Sequence, residues 1–227
     1  MSLKKTALKV ADRLGLFSKI PRTRIARFLE RQATAERTLD LGGGSGPYTR
    51  FFPNRVGADI APGPGVDYVV DAHDLSVFSD GEFSCVLSTE ALEHMHDPAR
   101  AISEIYRVLA PGGTLILTTR FLFPLHDAPH DYFRFTRYGL EHLLRSFGEV
   151  SIVEESNTLE TFAVLFERVA LETDTLWLKP LSIIWILLSK LFLMISPVIT
   201  KEYGDVRRSK QSDYPIMASG YYVVATK

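Results

Sequence analysis

The run Thr38-Leu39-Asp40-Leu41-Gly42-Gly43-Gly44-Ser45-Gly46 constrains this chain more than any other stretch. It reads as a short apolar strand ending in an acidic residue, followed by a glycine-rich turn. Glycines allow positive φ and let a ligand approach where a Cβ would clash. A strand feeding such a turn, with a helix expected after it, is how open α/β sheets hold nucleotide-like cofactors. Gly42, Gly44 and Gly46 give G-x-G-x-G. A dinucleotide fingerprint would need its third glycine at position 47, where the chain has Pro47.

Further strand and turn signals follow in order. Arg55-Val56-Gly57-Ala58-Asp59-Ile60 reads as a second strand ending in an acid. Val69-Val70-Asp71-Ala72-His73-Asp74-Leu75 reads as a strand tip and an acidic turn. Phe83-Ser84-Cys85-Val86-Leu87-Ser88 reads as a buried strand, followed at once by Thr89-Glu90-Ala91-Leu92-Glu93-His94. Asp97-Pro98 then opens a helix, Asp as N-cap and Pro at the first helical position. Its apolar face carries Ile102, Ile105, Tyr106 and Leu109, and Pro111-Gly112-Gly113 is expected to stop it. Thr114–Thr119 reads as the next strand, Gly148–Glu154 as the sixth and Gly220–Thr226 as the seventh.

This order of motifs resembles the class I S-adenosylmethionine (SAM)-dependent methyltransferases, in particular the small-molecule enzymes grouped as type 11. The resemblance covers about residues 37–150 and the final strand. It implies a Rossmann-like, doubly wound α/β sheet of seven strands, the last antiparallel between the fifth and sixth, and SAM as cofactor. The turn of Asp40, Gly42, Gly44 and Gly46 would then be the first cofactor motif. Asp59, with Ile60 beside it, would take the ribose hydroxyls. Asp71 would accept the adenine amine while the Ala72 N–H meets a ring nitrogen. Ser88, Glu93 and His94 would lie on the cofactor side near the methionine end.

Composition limits the function classes. The 227 residues suit one well-cored α/β domain with an extension. With 46% hydrophobic and 23% charged residues and a formal net charge of −1, the chain has no nucleic-acid-binding signature. Cys85, the single cysteine, falls in an apolar strand, as a core thiol in a reducing, cytoplasmic setting.

Charge is nevertheless uneven. Residues 1–31 hold nine Lys and Arg against Asp12 and Glu30. Leu3, Ala7, Val10, Ala11 and Leu14 have helical spacing, and a second helix is expected from Pro21 to about Gln32. Lys9, Asp12 and Arg13 interrupt any signal-peptide core. This basic segment, 1–36, fits either helices packed at the cofactor cleft or attraction to anionic lipid at the inner face of a membrane. The core is expected over 37–157 and 216–227, split by an insertion over 158–215. Within the insertion, Thr158 to about Glu172 is amphipathic, with Leu159, Phe162, Phe166 and Val169 on one face. Leu181–Ile199 is apolar all round apart from Lys190 and its serines. Its length only just reaches the roughly 20 residues of a membrane span, and a crossing would separate the last strand from its sheet. A lid over the acceptor, a dimerisation helix and an interfacial helix all fit.

The apolar insertion and aromatic loop favour a small, hydrophobic or lipid- or glycan-linked methyl acceptor, whose methylation needs orientation, water exclusion and, at oxygen or nitrogen, a base. The loop 121–136 concentrates His126, His130, Asp131 and aromatics, and offers His126, His130 and Asp131 as candidate catalytic groups. Asp131 pairing with Arg134, and Thr136 capping a helix from Tyr138 to Phe147, are the structural alternatives. Glu90, Glu93 and His94, spaced i, i+3, i+4, would share a helical face. They could bind a divalent cation with a later His. The preferred reading is a carboxylate–imidazole pair that orients the loop, with no metal. A non-catalytic SAM-binding scaffold is the rival function.

Overall fold

The computed structural model describes residues 19–227 apart from Ser45, 173–178, 205–206 and 208–209. The helix expected over residues 3–14 lies outside the described residues. The chain divides into two compact units. The sheet unit holds 28–155 and 218–227; the insertion unit holds 1–27 and 156–217. Helix α1 (Ile20–Arg31) begins in the insertion unit and ends in the sheet unit.

The sheet unit contains β1 (Thr38–Leu41), β2 (Arg55–Asp59), β3 (Tyr68–Val69), β4 (Phe83–Thr89), α2 (Pro98–Val108), β5 (Leu109–Arg120), α3 (Arg137–Leu143), β6 (Glu149–Glu154) and β7 (Gly220–Thr226). Its seven strands lie in the order β3-β2-β1-β4-β5-β7-β6. The first five pair in parallel, and β7 runs antiparallel to both neighbours, with Leu117 and Ile152 each in register with Val223. The expected Rossmann-like α/β sheet, with its last strand inserted antiparallel, is what forms. β1 is buried along its whole length, as a central parallel strand must be. Leu39, Val86, Leu117 and Val223 meet Leu92 and Ile105 in the core. Cys85 is buried there, and burial pushes its thiol up to about 11, which suits packing rather than nucleophilic chemistry.

Three boundaries differ from expectation. The helix expected after the glycine turn is a single 3-10 turn, Thr49–Phe51. Pro53 follows within two residues and β2 starts at Arg55, so no α-helix has room to propagate. Helix α2 is capped as expected, the Asp97 carboxylate accepting the Arg100 N–H at 3.0 Å. It ends at Val108, however, and Leu109 already has extended geometry and begins β5. The ring of Pro111 disfavours helical conformation upstream, and Lys227 Nζ donates to the carbonyls of Tyr106 and Leu109, each at 2.7 Å, so the freed acceptors are satisfied. Helix α3 is capped by Thr136, whose hydroxyl accepts the Gly139 N–H at 3.0 Å, but stops at Leu143 rather than Phe147. Leu144 and Phe147 turn into the core instead.

The insertion unit contains α4 (Thr158–Glu172) and α5 (Lys179–Ile195). Asn157 and Glu160 cap α4 reciprocally: the Asn157 side chain accepts the Glu160 N–H, and the Glu160 carboxylate accepts the Asn157 N–H, both at 3.0 Å. Arg24 pairs with Glu160 at 2.8 Å, and the Ile20 N–H donates to the buried Glu167 at 2.9 Å. α5 gives way to a 3-10 turn, Ser196–Val198, where Pro197 cannot donate to the helix. None of the described helices is long and apolar enough to cross a membrane.

Candidate active site

A cavity of about 410 Å³ opens at the carboxyl ends of the parallel strands of the sheet unit. Gly42 lines it from the turn after β1, Asp59 and Ile60 from the end of β2, Asp71 and Ala72 from the turn after β3, and Glu90 and Ala91 from beyond β4. His94, Asp127, His130 and Tyr132 complete another part of the wall. The parallel strands end together, so residues far apart in sequence converge there.

The glycine turn is built for close approach. Gly42 has φ +79°, its N–H donates to the Ala58 carbonyl at 2.8 Å, and a Cβ would stand 2.8 Å from that of Ala91. Arg55, which the sequence reading passed over as the start of a strand, holds the turn. Its Nε donates to Asp40 Oδ2 at 3.0 Å, and its Nη2 donates to the carbonyls of Gly44 and Gly65 at 2.8 Å each. The only sequence signal was a cation opening an otherwise apolar strand. Asp40 is buried, and burial raises its carboxyl above the usual range despite Arg55. Its Oδ1 has no hydrogen-bond partner among the described residues. Gly46 donates to the Gly43 carbonyl at 3.0 Å, closing the turn. Asp40, Gly44 and Gly46 thus shape the turn, while Gly42 reaches the cavity wall.

The other expected cofactor residues divide in the same way. Asp59 accepts the Ala61 N–H at 3.2 Å through Oδ1 and lines the cavity with the exposed Ile60. Asp71 Oδ1 accepts the His73 N–H at 2.9 Å and lies 2.5 Å from His73 Nδ1; these bonds hold its carboxyl below the usual range. His73 Nε2 accepts the Asp97 N–H at 3.1 Å, so its proton sits on Nδ1, facing Asp71. Ser88 is placed differently: it is wholly buried within β4 and outside the cavity lining, because the strand ends before the chain reaches the wall at Glu90.

The Glu90, Glu93, His94 segment needs correction. Glu90 has φ +53°, and only Leu92–His94 form a 3-10 turn, so the three do not share a helical face. Glu90 turns to β5, where it accepts the Thr118 hydroxyl at 2.9 Å and pairs with Arg120. Burial, opposed by Arg120, pushes its carboxyl up to about 8, with Glu93 and Glu155 adding to the rise. One guanidinium faces three carboxylates, so the cluster favours retaining a proton. Arg120 also donates to Glu155 at 2.7 Å, which accepts the hydroxyls of Ser219 at 2.6 Å and Tyr222 at 3.0 Å.

Glu93 is fully buried, accepts the Thr119 hydroxyl at 2.8 Å through Oε2, and leaves Oε1 without a hydrogen bond among the described residues. His126 Nε2 lies 3.8 Å from that oxygen. Ligand atoms of Glu93, His94 and His126 all fall within 4.8 Å of one another, an arrangement that could orient the loop or accept a cation. His94 Nδ1 donates to the His130 carbonyl at 2.8 Å; since a carbonyl only accepts, Nε2 of the neutral ring carries the lone pair.

Asp131 is not available as a base. Arg134 grips both its oxygens at 2.5 and 2.6 Å and holds its carboxyl down to about 2, and Oδ2 also accepts the His126 N–H at 2.9 Å. It fixes the loop, as the alternative pairing anticipated. Of the three expected catalytic groups only His130 lines the cavity, its Nδ1 3.0 Å from the Tyr132 hydroxyl. His126 sits between the rings of His94 and Phe123, with centroids 4.8 and 5.3 Å away.

A family model described as a methyltransferase domain matches residues 16–159. The chain therefore belongs to the methyltransferase domain family, within the SAM-dependent class. It is 32% identical over 111 residues to the chloroplastic tocopherol O-methyltransferase of Arabidopsis thaliana, covering 40% of this chain and 32% of that protein. It is 27% identical over 165 residues to a ubiquinone/menaquinone biosynthesis C-methyltransferase of Hydrogenovibrio crunogenus, covering 62% and 61%. The chain thus spans from about a third to under two thirds of the length of these curated relatives. The crystal structure of a SAM-dependent methyltransferase from Archaeoglobus fulgidus shares the fold, with a TM-score of 0.57 at 16% identity over 91% of this chain and 94% of that one. The residues present fit SAM: a turn packed too closely for side chains, a buried carboxylate oxygen without a partner beside it, and Asp59 in the cavity wall.

Proposed function

We propose that this chain moves a methyl group from SAM to a small hydrophobic acceptor of the quinol or tocopherol type, working from the cytoplasm. One observation carries this reading. A single cavity joins the glycine-turn, Asp59 and Asp71 wall to a wall of His94, His130 and Tyr132. Bound SAM supplies an electrophilic methyl group on a good leaving group. The chain's own task is then placement and proton handling. Asp59 would hold the ribose, and Asp71, kept ionised and oriented by His73, would take the adenine amine. His94 lines the cavity with its ring fixed through Nδ1, and its Nε2 would accept a proton from an acceptor hydroxyl. Asp127 Oδ2, 4.0 Å from that nitrogen, would favour the resulting cation. The names of the tocopherol and quinone-pathway relatives support the acceptor class.

The test is release of S-adenosylhomocysteine (SAH) on incubation with SAM and a panel of acceptors: prenylated quinols, tocopherol precursors, a short-chain phenol and a water-soluble amine. Turnover is expected with the prenylated phenolics and quinols. Turnover with the amine alone would overturn the acceptor class.

A further inference from the structure

Helix α5 is inside out for a helix in water. Its inward side packs on α4: the Trp185 ring stacks on Phe166 with centroids 5.5 Å apart, and Phe192 meets Phe162 and Phe166 edge-on at 5.9 and 5.2 Å. On the same side lie Ser189 and, just beyond the helix, Ser196, 2% and 5% exposed. The charge of Lys190 is felt at the buried Glu167. The outward side carries Ile183, Leu187, Leu191, Met194 and, in the following turn, Val198. Leu187 is 60% exposed and Met194 71%. Their spacing of three or four residues makes one continuous apolar stripe. A helix surrounded by water would point its serines outward and its leucines inward. Stripes of this size mark a contact surface.

Charge identifies the contact. The insertion unit has 15 Lys and Arg against 8 Asp and Glu, while the sheet unit has 11 against 19. A net charge of −1 therefore conceals one basic and one acidic unit, the basic excess lying in residues 1–27, while 156–217 carry seven charges of each sign. Past the apolar stripe, Lys201, Arg207 and Lys210 are exposed. Of the nearby acids, Glu202 is occupied internally, accepting the N–H groups of Thr158 at 3.1 Å and Ile216 at 2.6 Å, while Asp213 is exposed. An apolar stripe followed in the chain by exposed cations, on a helix too short to cross, is the pattern of an element lying in the plane of an anionic lipid surface. We infer that the outward face of α5, with Lys201, Arg207 and Lys210, docks this protein on an anionic membrane surface. The inference uses the insertion unit alone and stands or falls separately from the choice of methyl acceptor.

The test is flotation of the full chain with phosphatidylcholine vesicles, with and without phosphatidylglycerol, in parallel with calorimetric SAM binding and sedimentation velocity. The wild type is expected to float with the anionic vesicles, weakly with the neutral ones, and less as salt shortens the Debye length from about 8 Å at physiological ionic strength. The triple variant L187S/L191S/M194S should lose at least about tenfold in vesicle affinity, since each change removes an apolar anchor, and should keep SAM binding. The charge variant K201E/K210E, which leaves every apolar contact intact, should lose binding severalfold and only to the anionic vesicles. No flotation of the wild type, equal flotation with both vesicle types, or unchanged binding in both variants would overturn the inference. A wild-type dimer that the triple variant dissociates, with no vesicle binding, would assign the face to a second copy instead. Vesicle binding without SAM binding would leave this inference standing and remove the methyltransferase reading.

Discussion

The two units of this chain spend their hydrophobicity in opposite ways. The sheet unit is acidic, buries its apolar strands, and gathers polar groups around a cavity. The insertion unit is basic, buries serines, and presents leucine, isoleucine and methionine on one helix. In the closed core most buried charges are tied into a network around Arg120 and Arg55, while Asp40 Oδ1 and Glu93 Oε1 stay without a partner among the described residues. Where the face is open, apolar side chains are left exposed. The difference teaches that average composition, globular and nearly neutral here, can hide two surfaces suited to two environments.

The sharpest way to break this contrast is to unbalance the sheet unit's buried charges. Arg120→Met leaves Glu90 and Glu155 without their cation, and breaking a buried pair costs about 3–5 kcal/mol. Chemical denaturation should show that loss, whereas L187S/L191S/M194S in the insertion unit should change stability by under about 1 kcal/mol. Similar losses for both would mean that the outward face of α5 is packed like a core. The next effect concerns turnover. His94→Ala should lower SAH release by about 10²-fold or more while SAM affinity is kept, as expected when a proton acceptor is removed. An unchanged rate would move the proton-accepting role to His130.

A smaller effect separates the buried from the solvated carboxylates. Glu90, raised to about 8 in the folded state, contributes stability that is fully present below its unfolded value of about 4.5 and lost as pH rises through 8. Glu90→Gln should remove that decline between about pH 4.5 and 8, read as a flatter denaturation midpoint. Asp131, lowered to about 2, works the other way, its contribution fading only as pH falls from about 4 toward 2. The smallest expected effect is that of chelation. Glu93 and His126 are read as orienting groups and His94 as the proton acceptor, none of them as a metal ligand, so EDTA should leave turnover unchanged. Loss on EDTA treatment, with recovery on adding Mg²⁺, Mn²⁺ or Zn²⁺, would make them ligands.

What the sequence made legible follows from where each signal is local. The strand end at Asp59, the Asp97 and Thr136 caps and the bounds of α4 depend on neighbours within four residues, and pattern reading finds such features; β1 runs one residue past its acid, to Leu41. The antiparallel β7 was reached through the resemblance, since no local pattern marks strand direction. Arg55 and Arg120 were missed because their partners lie at Asp40, Gly65, Glu90 and Glu155, distances in sequence that only the fold closes. The Glu90, Glu93, His94 face failed because one residue at positive φ breaks helical periodicity without leaving a trace in composition. The helix after the glycine turn failed because Pro53 and the nearness of β2 outweighed the motif's usual context.

The proposed chemistry requires the sheet unit's cavity to be a SAM site held by Asp59. Titration calorimetry of the wild type with SAM, SAH and NAD, and of Asp59→Ala with SAM, tests this most directly. The wild type is expected to bind SAM and SAH in the micromolar range and not to bind NAD. Asp59→Ala should bind SAM at least about tenfold more weakly, since each lost hydrogen bond to a charged acceptor is worth about 1.5–3 kcal/mol. Binding of NAD without SAM, or equal SAM affinity in both proteins, would contradict it.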